Sequence, residues 1–296
     1  GVSKKIATEP IYGPRKTLSA AWSPDSKWMA YTLNTPNYIQ QVHVYSLDQD
    51  RSFPVTDGLS DVSEPVFDAS GKYLYMLGST DAGPVRDWFA MSNADMRATS
   101  ALYLAVLRKD TPSPLAKESD EEKKAEGGKT EGGKAEGAKA EAAKAEAART
   151  EGGKAEGGKA DKPVSAGPAV TIDFEGLANR ILAIPVPAAE ISSLQAGEAN
   201  LVYFLRSADG KAALHRYDLG TRKDETLLPD VNLYLLSADG KKLIYRSGQT
   251  WAIVPAKGKI EPGQGRVNLD AVEVRIDPAA EWPQIFDEAW RINRDY

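Results

Sequence analysis

Cysteine is absent from this chain of 296 residues, and histidine occurs only twice, at His43 and His215. The first absence excludes disulfides, thiolate metal sites and cysteine nucleophiles. The second leaves little material for acid–base chemistry. No H-E-x-x-H or G-x-S-x-G pattern is present, so neither a zincin helix nor a nucleophile elbow is expected. No run of about 18 apolar residues occurs, which excludes a helical membrane span. The N-terminal GVSKKIATEP lacks the apolar core of a secretory leader. A basic excess is missing too. The 37 Lys+Arg against 42 Asp+Glu give a net charge of −5, the wrong sign for a nucleic-acid binder. No metal and no cofactor is expected.

One segment lacks something more. Residues 117–162 contain no Val, Ile, Leu, Met, Phe, Trp or Tyr, yet hold 11 basic and 12 acidic side chains and 9 of the 25 glycines. From Lys124 the sequence repeats every five residues, as Lys124-Ala-Glu-Gly-Gly and Lys129-Thr-Glu-Gly-Gly. Such a segment has nothing to bury and is expected to be a disordered, solvated insertion. Asp120, Glu121 and Glu122 belong to its flank and read as solvated charge rather than a cation site.

The remaining 250 residues carry every large apolar side chain. Short alternating apolar runs recur there, separated by Gly, Pro, Asp and Asn, which is an all-β pattern. Ala21-Trp-Ser-Pro-Asp25-Ser-Lys-Trp-Met-Ala-Tyr31 reads as strand, tight turn, strand. Val66 to Tyr75 and Leu235 to Tyr245 repeat it. Third strands follow at Val42–Tyr45, Leu102–Val106 and Trp251–Val254. A weaker fourth follows at Arg51–Val55, and another is expected within Asn179–Pro185. A further unit starts near Ile191, with runs at Leu201–Leu205, Ala213–Tyr217 and Thr226–Leu228. Four units starting near residues 18, 63, 191 and 232 predict about four four-stranded blades of a partial β-propeller. Lys5-Ile6-Ala7-Thr8 reads as an additional fourth strand with no blade before it. Residues 1–277 are thus assigned to the partial propeller. In 278–296, Ile285, Ala289, Ile292 and Tyr296 share a helical stripe with Phe286 and Trp290 beside it, behind a Pro278 start. This predicts a helix that opens a helical domain and needs a partner.

Several motifs resemble those of tricorn-type serine proteases, in that family's order. They are Ser79-Thr-Asp81-Ala-Gly-Pro84 followed by Trp88 and Met91, Ala101 to Asp110 running into Pro112-Ser-Pro-Leu115, Ile172-Asp-Phe-Glu-Gly-Leu177, and Glu281-Trp-Pro-Gln-Ile-Phe-Asp-Glu-Ala-Trp-Arg291. The resemblance covers nearly the whole chain outside the tract. It implies the later part of a second propeller plus the start of a helical domain, in a parent protein with PDZ and catalytic domains. Its implied ligands are peptides or unfolded polypeptide, and a homo-oligomeric parent is compatible with it. The compartment implied is the cytoplasm, or the periplasm where an upstream leader exists. No residue matches the family's catalytic motifs, so the chain is expected to be inactive alone and to filter or channel peptides. A TolB-like protein-binding propeller and the propeller lid of a prolyl-oligopeptidase-type hydrolase are the alternatives. His43 and His215 occupy matching places in third strands and read as structural. Asp173 and Glu175 read as turn or strand-edge residues. The loop 79–99 is the best functional candidate, with Asp81, Arg86, Asp87 and Trp88 as peptide-channel residues and Phe89 and Met91 beside them.

Overall fold

In the computed structural model, the described residues are 3–9, 19–37, 39–79, 99–116, 167–261, 263–270 and 272–295. The five-residue repeats and the acidic residues 120–122 lie outside them. The strands are β1 (Ala20–Trp22), β2 (Trp28–Asn34), β3 (Gln40–Ser46), β4 (Arg51–Pro54), β5 (Asp61–Phe67), β6 (Tyr73–Ser79), β7 (Ala101–Val106) and β8 (Ile181–Ala183). They continue as β9 (Glu190–Ala196), β10 (Leu201–Ala208), β11 (Lys211–Asp218), β12 (Lys223–Leu228), β13 (Leu233–Leu236), β14 (Lys242–Ser247) and β15 (Thr250–Pro255), before helix α1 (Pro278–Asp295). Each sheet is an antiparallel meander in chain order: β1-β2-β3-β4, β5-β6-β7-β8, β9-β10-β11-β12 and β13-β14-β15. These are the four units expected, in order.

The fourth sheet departs from the expected four strands. Its outer edge is fringed by an isolated bridge between Ala252 and Arg266, with Ile253 N–H donating to Gly265 O and Val267 N–H to Trp251 O. Gly263 and Gly265 take φ of 82° and 68° and supply no side chain to pack, so no regular strand forms. Residues 3–9 also differ from expectation, because they form no strand. They lie against the first sheet instead, through Lys4 to Asp50 at 2.5 Å and Asn34 N–H to Glu9 Oε1 at 3.2 Å.

The recurring turn folds the same way three times. Ser23, Asp68 and Ser237 each donate N–H across the turn, to Trp28, Tyr73 and Lys242 O. Ser26, Gly71 and Gly240 occupy the left-handed position, with φ of 59°, 71° and 68°, and their N–H groups return to the O of Ser23, Asp68 and Ser237. A serine–carboxylate bond locks each turn: Ser23 Oγ to Asp25 at 2.6 Å, Ser237 Oγ to Asp239 at 2.6 Å, and Ser70 Oγ to Asp68. In the second sheet serine and aspartate have exchanged places, and the bond survives the exchange. This is side-chain-to-backbone turn chemistry of the Asx type.

Alternation then assigns the two faces of each sheet. Leu74 and Met76 of β6 join Trp28, Ala30, Val42 and Val44 in the core between the first two sheets. Tyr73, Tyr75 and Leu77 point the other way and meet Val202 and Phe204 of β10. Leu201, Tyr203 and Leu205 meet Tyr234, Leu243 and Tyr245 in the third core. Period-2 patterning on strands buried on both faces gives this stack of sheets and interleaved cores.

Helix α1 starts at Asp277, whose Oδ1 accepts the Ala279 N–H at 3.2 Å, and Pro278 fills the first helical position, where a missing N–H costs nothing. None of its residues is buried, and Trp282, Ile285, Phe286, Trp290 and Ile292 are exposed. Among the described residues, no helix is long and apolar enough to cross a membrane.

Candidate functional site

The first strands of successive sheets lie side by side, β1 beside β5 and β5 beside β9, so they are the innermost strands of a propeller and the fourth strands are its periphery. Each of β5 and β9 carries a bulge at the same place, where Glu64 and Ser193 take φ of 51° and 59°. A bulge breaks the ladder and frees groups to bond sideways. Glu64 uses this to accept the Leu194 N–H at 2.6 Å. Tyr234 donates its hydroxyl to Ser193 O at 2.5 Å, and Gln195 holds Tyr234 O and Leu236 N–H at 3.1 and 2.9 Å. Burial, with the Glu64 charge adding to it, pushes the Tyr234 hydroxyl well above its ordinary pKa, so it remains a neutral donor. The inner strands are thus tied blade to blade by one carboxylate, one amide and one phenol.

Two faces result. The three locked turns lie at one face. The β2–β3 and β6–β7 connections and the links between sheets lie at the other. The roots of the candidate loop lie at the second face. Asp81, Arg86, Asp87, Trp88, Phe89 and Met91 lie outside the described residues, but the roots of their loop are described. Ser79 pairs with Asp61 at the start of β5. Ser100 bridges Ala189, just before β9, with reciprocal backbone bonds of 2.7 and 3.1 Å. One root therefore stands beside the innermost strand of the second blade and the other beside that of the third.

The two histidines occupy one repeat position. His43 pairs with Tyr31 and His215 with Phe204 across the same pair of strands, and each ring stacks on its partner at 5.7 and 5.4 Å. His215 Nδ1 lies 2.9 Å from Asp224 Oδ1, and its Nε2 lies 3.4 Å from Thr226 Oγ1. Asp224 also faces Arg206 at 4.0 Å. With both ring nitrogens engaged and the ring buried, His215 is a satisfied structural residue. His43 is half-buried, its Nε2 lies 3.2 Å from Gln41 Oε1, and burial lowers its pKa. Asp173 accepts the Lys109 N–H at 2.9 Å, and the Glu175 carbonyl accepts from Arg180 at 2.9 Å, which places both in turn architecture. Among the described residues, no group of three His, Asp or Glu side chains is placed to hold a metal ion.

Sequence reading missed the bonds that join blades through the locked turns. Asp25 Oδ2 accepts the Val170 N–H at 2.8 Å, and Trp28 Nε1 donates to Val170 O at 3.1 Å. Asp68, fully buried, accepts the Asn200 N–H at 2.8 Å and the Tyr75 hydroxyl at 3.2 Å. The only trace in the sequence was the recurring turn itself, which is explained equally well as local structure.

The model of the tricorn protease second beta propeller domain matches residues 11–257, well over half of the chain. Tricorn protease homolog 1 of Streptomyces coelicolor is 28% identical over 93% of the chain and 25% of that protein. Tricorn protease of Thermoplasma volcanium is 22% identical over 93% of the chain and 24% of that protein. The crystal structure of the tricorn protease superposes with a TM-score of 0.62 at 19% identity, covering 94% of this chain and 24% of the other. At that identity the superposition speaks for the fold alone. The chain spans about a quarter of the length of the relatives it matches. With its four meandering sheets and the family model spanning all of them, the chain belongs to the tricorn protease second β-propeller family.

Proposed function

We propose that this chain is a non-catalytic propeller segment of a tricorn-like serine endopeptidase, and that it filters or channels extended polypeptide toward a catalytic domain elsewhere in the parent protein. The observation that carries this reading is the position of the loop roots. Ser79 and Ser100 flank the starts of two neighbouring innermost strands, so the two roots of the loop stand close to the propeller axis. Asp81, Arg86, Asp87 and Trp88 are its recognition residues in this reading. Loops on a rigid scaffold are where binding groups gather. Relatives named as proteases support the parent activity. The exposed Trp282, Phe286 and Trp290 of α1 support a chain that works docked to further domains, because an apolar stripe of that size marks an interaction surface.

The test is made in the full-length parent protein. Arg86→Ala and Trp88→Ala are expected to lower kcat/KM about tenfold for peptides long enough to thread the propeller, and to leave a short chromogenic substrate unaffected. Unchanged turnover of both substrate lengths would sink the proposal.

A further inference from the structure

The loop-bearing face holds a cleft of about 210 Å³ between the β4–β5 connection and the second sheet. Its floor is Val62, Met76, Tyr103 and Ile181, and its rim carries Asp57 and Ser60. Gly78 lets the Tyr103 ring lie against β6, since a Cβ there would come within 2.9 Å of that ring. The space is too small for a cofactor-sized molecule and suits a single side chain.

A second observation lies in the turn between Asp57 and Ser60. Leu59 is 82% exposed, yet it is not a loose side chain. Asp57 Oδ1 accepts the Leu59 N–H at 3.0 Å, and Gly58 turns the chain at φ 77°. An apolar side chain held out by a fixed turn, between two residues that line an apolar cleft, has the anatomy of a recognition anchor. The electrostatics add a third observation. Residues 54–67 contain Asp57, Asp61 and Glu64 and no Lys, Arg or His. Asp61 spends one oxygen on the Gln40 N–H at 2.8 Å and Glu64 one on Leu194. The second oxygen of Asp57 takes no hydrogen bond among the described residues. The rim therefore attracts positive charge.

We propose that this cleft is a subsite for one apolar side chain of an extended peptide, covered on one side by Leu59, and that Asp57 selects peptides with a Lys, Arg or free α-amino group next to that side chain. The subsite rests on the polypeptide-handling reading above and gives it a specificity. Its occupant is a peptide with an apolar residue between cationic ones, which is the complement of an apolar floor under an acidic rim.

The 296-residue chain, labelled with ¹³C at its methionine methyls, is titrated with Gly-Lys-Leu-Lys-Gly, Gly-Glu-Leu-Glu-Gly and Gly-Lys-Ser-Lys-Gly. The first peptide is expected to shift the Met76 methyl and leave Met29, on the opposite face of the first sheet, in place. It is expected to bind about tenfold more tightly than the other two. Leu59→Ser, at an exposed site that leaves folding intact, should weaken it about fivefold. Asp57→Asn keeps the turn and should erase the preference for Lys over Glu. Binding with no movement of Met76 overturns the subsite while leaving polypeptide handling intact. No binding by any of the three overturns it as well, and only unaltered long-peptide turnover in the Arg86 and Trp88 variants would remove the broader reading. A Met76 shift that follows protein concentration without peptide would assign the cleft to a second copy and overturn it too.

Discussion

The turns at 68–72 and 237–241 are made of the same parts and meet the third blade in opposite ways. In the second blade the aspartate stands at the first turn position, is fully buried, and reaches the Asn200 amide. In the fourth blade it stands two residues later, at Asp239, is exposed, and bonds only Ser237 and Lys241 of its own turn. The fourth blade instead approaches through Gly240. A Cβ there would lie 2.7 Å from Glu198 N and 2.8 Å from Gly197 C. The third blade's turn is thus held from one side by a carboxylate and touched from the other by a missing side chain. A turn motif fixes local geometry, and the placing of one aspartate decides whether it also joins blades.

The largest effect is expected at Asp68. Asp68→Ala removes the acceptor for Ser70 N–H, Asn200 N–H and the Tyr75 hydroxyl together. Buried donors left without partners, one of them on the next blade, should cost about 3 kcal/mol. A urea midpoint within error of the parent chain would mean that the joint between the second and third blades does not rest on this carboxylate. Gly240→Ala comes next, at about 2 kcal/mol, because the new methyl meets backbone rather than a side chain that can move and φ is positive. Ser26→Gly at the equivalent position of the first blade is the control, and thermal melts should show it neutral or slightly stabilising.

Acid should separate these joints further. Asp25 is the carboxylate of the first blade's turn. Burial raises its pKa, but hydrogen bonds from Ser23 Oγ and from the Val170 and Lys27 amides outweigh this, and the net pKa lies below the ordinary value. A depressed folded pKa means that the group stabilises the fold above its unfolded pKa of about 4 and loses that contribution as pH falls through the folded value. Asp25→Asn should therefore flatten the stability profile below about pH 4 and lie under the parent curve at neutral pH. Parallel profiles for the two proteins from pH 2 to 7 would show that Asp25 contributes no proton-linked stability.

Much of this architecture is legible in the sequence. The strands of Val42–Tyr45, Leu201–Leu205 and Trp251–Val254 follow from alternation and β-branched or aromatic content, and the locked turns follow from Ser, Asp and Gly at fixed offsets. Edges are less legible. Lys5–Thr8 alternates like a strand but pairs with no sheet, and its neighbours Lys4 and Glu9 hold it to the first sheet through a side chain and a backbone amide. Arg266 and Val267 form a fringe because the neighbouring glycines Gly263 and Gly265 deny it length. Contacts between blades are the least legible, because they depend on which turn faces which across more than a hundred residues. Asp68 to Asn200 is such a case, and so is Asp25 to Val170. His43 and His215 show the reverse. Their repeat position predicted a structural role, and the stacked partners Tyr31 and Phe204 supply it.

The smallest expected effect closes the comparison at Asp239. Its pKa also lies below the ordinary value, because Ser237 Oγ and the Lys241 amide bond the carboxylate. A depressed pKa alone would suggest a group as valuable as the buried one in the second blade. The environment argues otherwise. The side chain is exposed, water replaces each lost bond, and among the described residues no group outside the turn bonds to it. Exposed hydrogen-bonded charges contribute little once solvent screening is counted. Asp239→Ala should shift the melting temperature by no more than the scatter between repeats, while Asp68→Ala shifts it by many degrees. Should the two substitutions prove equally damaging, the seam between blades would owe its strength to the turn's internal lock, and the bond from Asp68 to Asn200 would be a passenger on it.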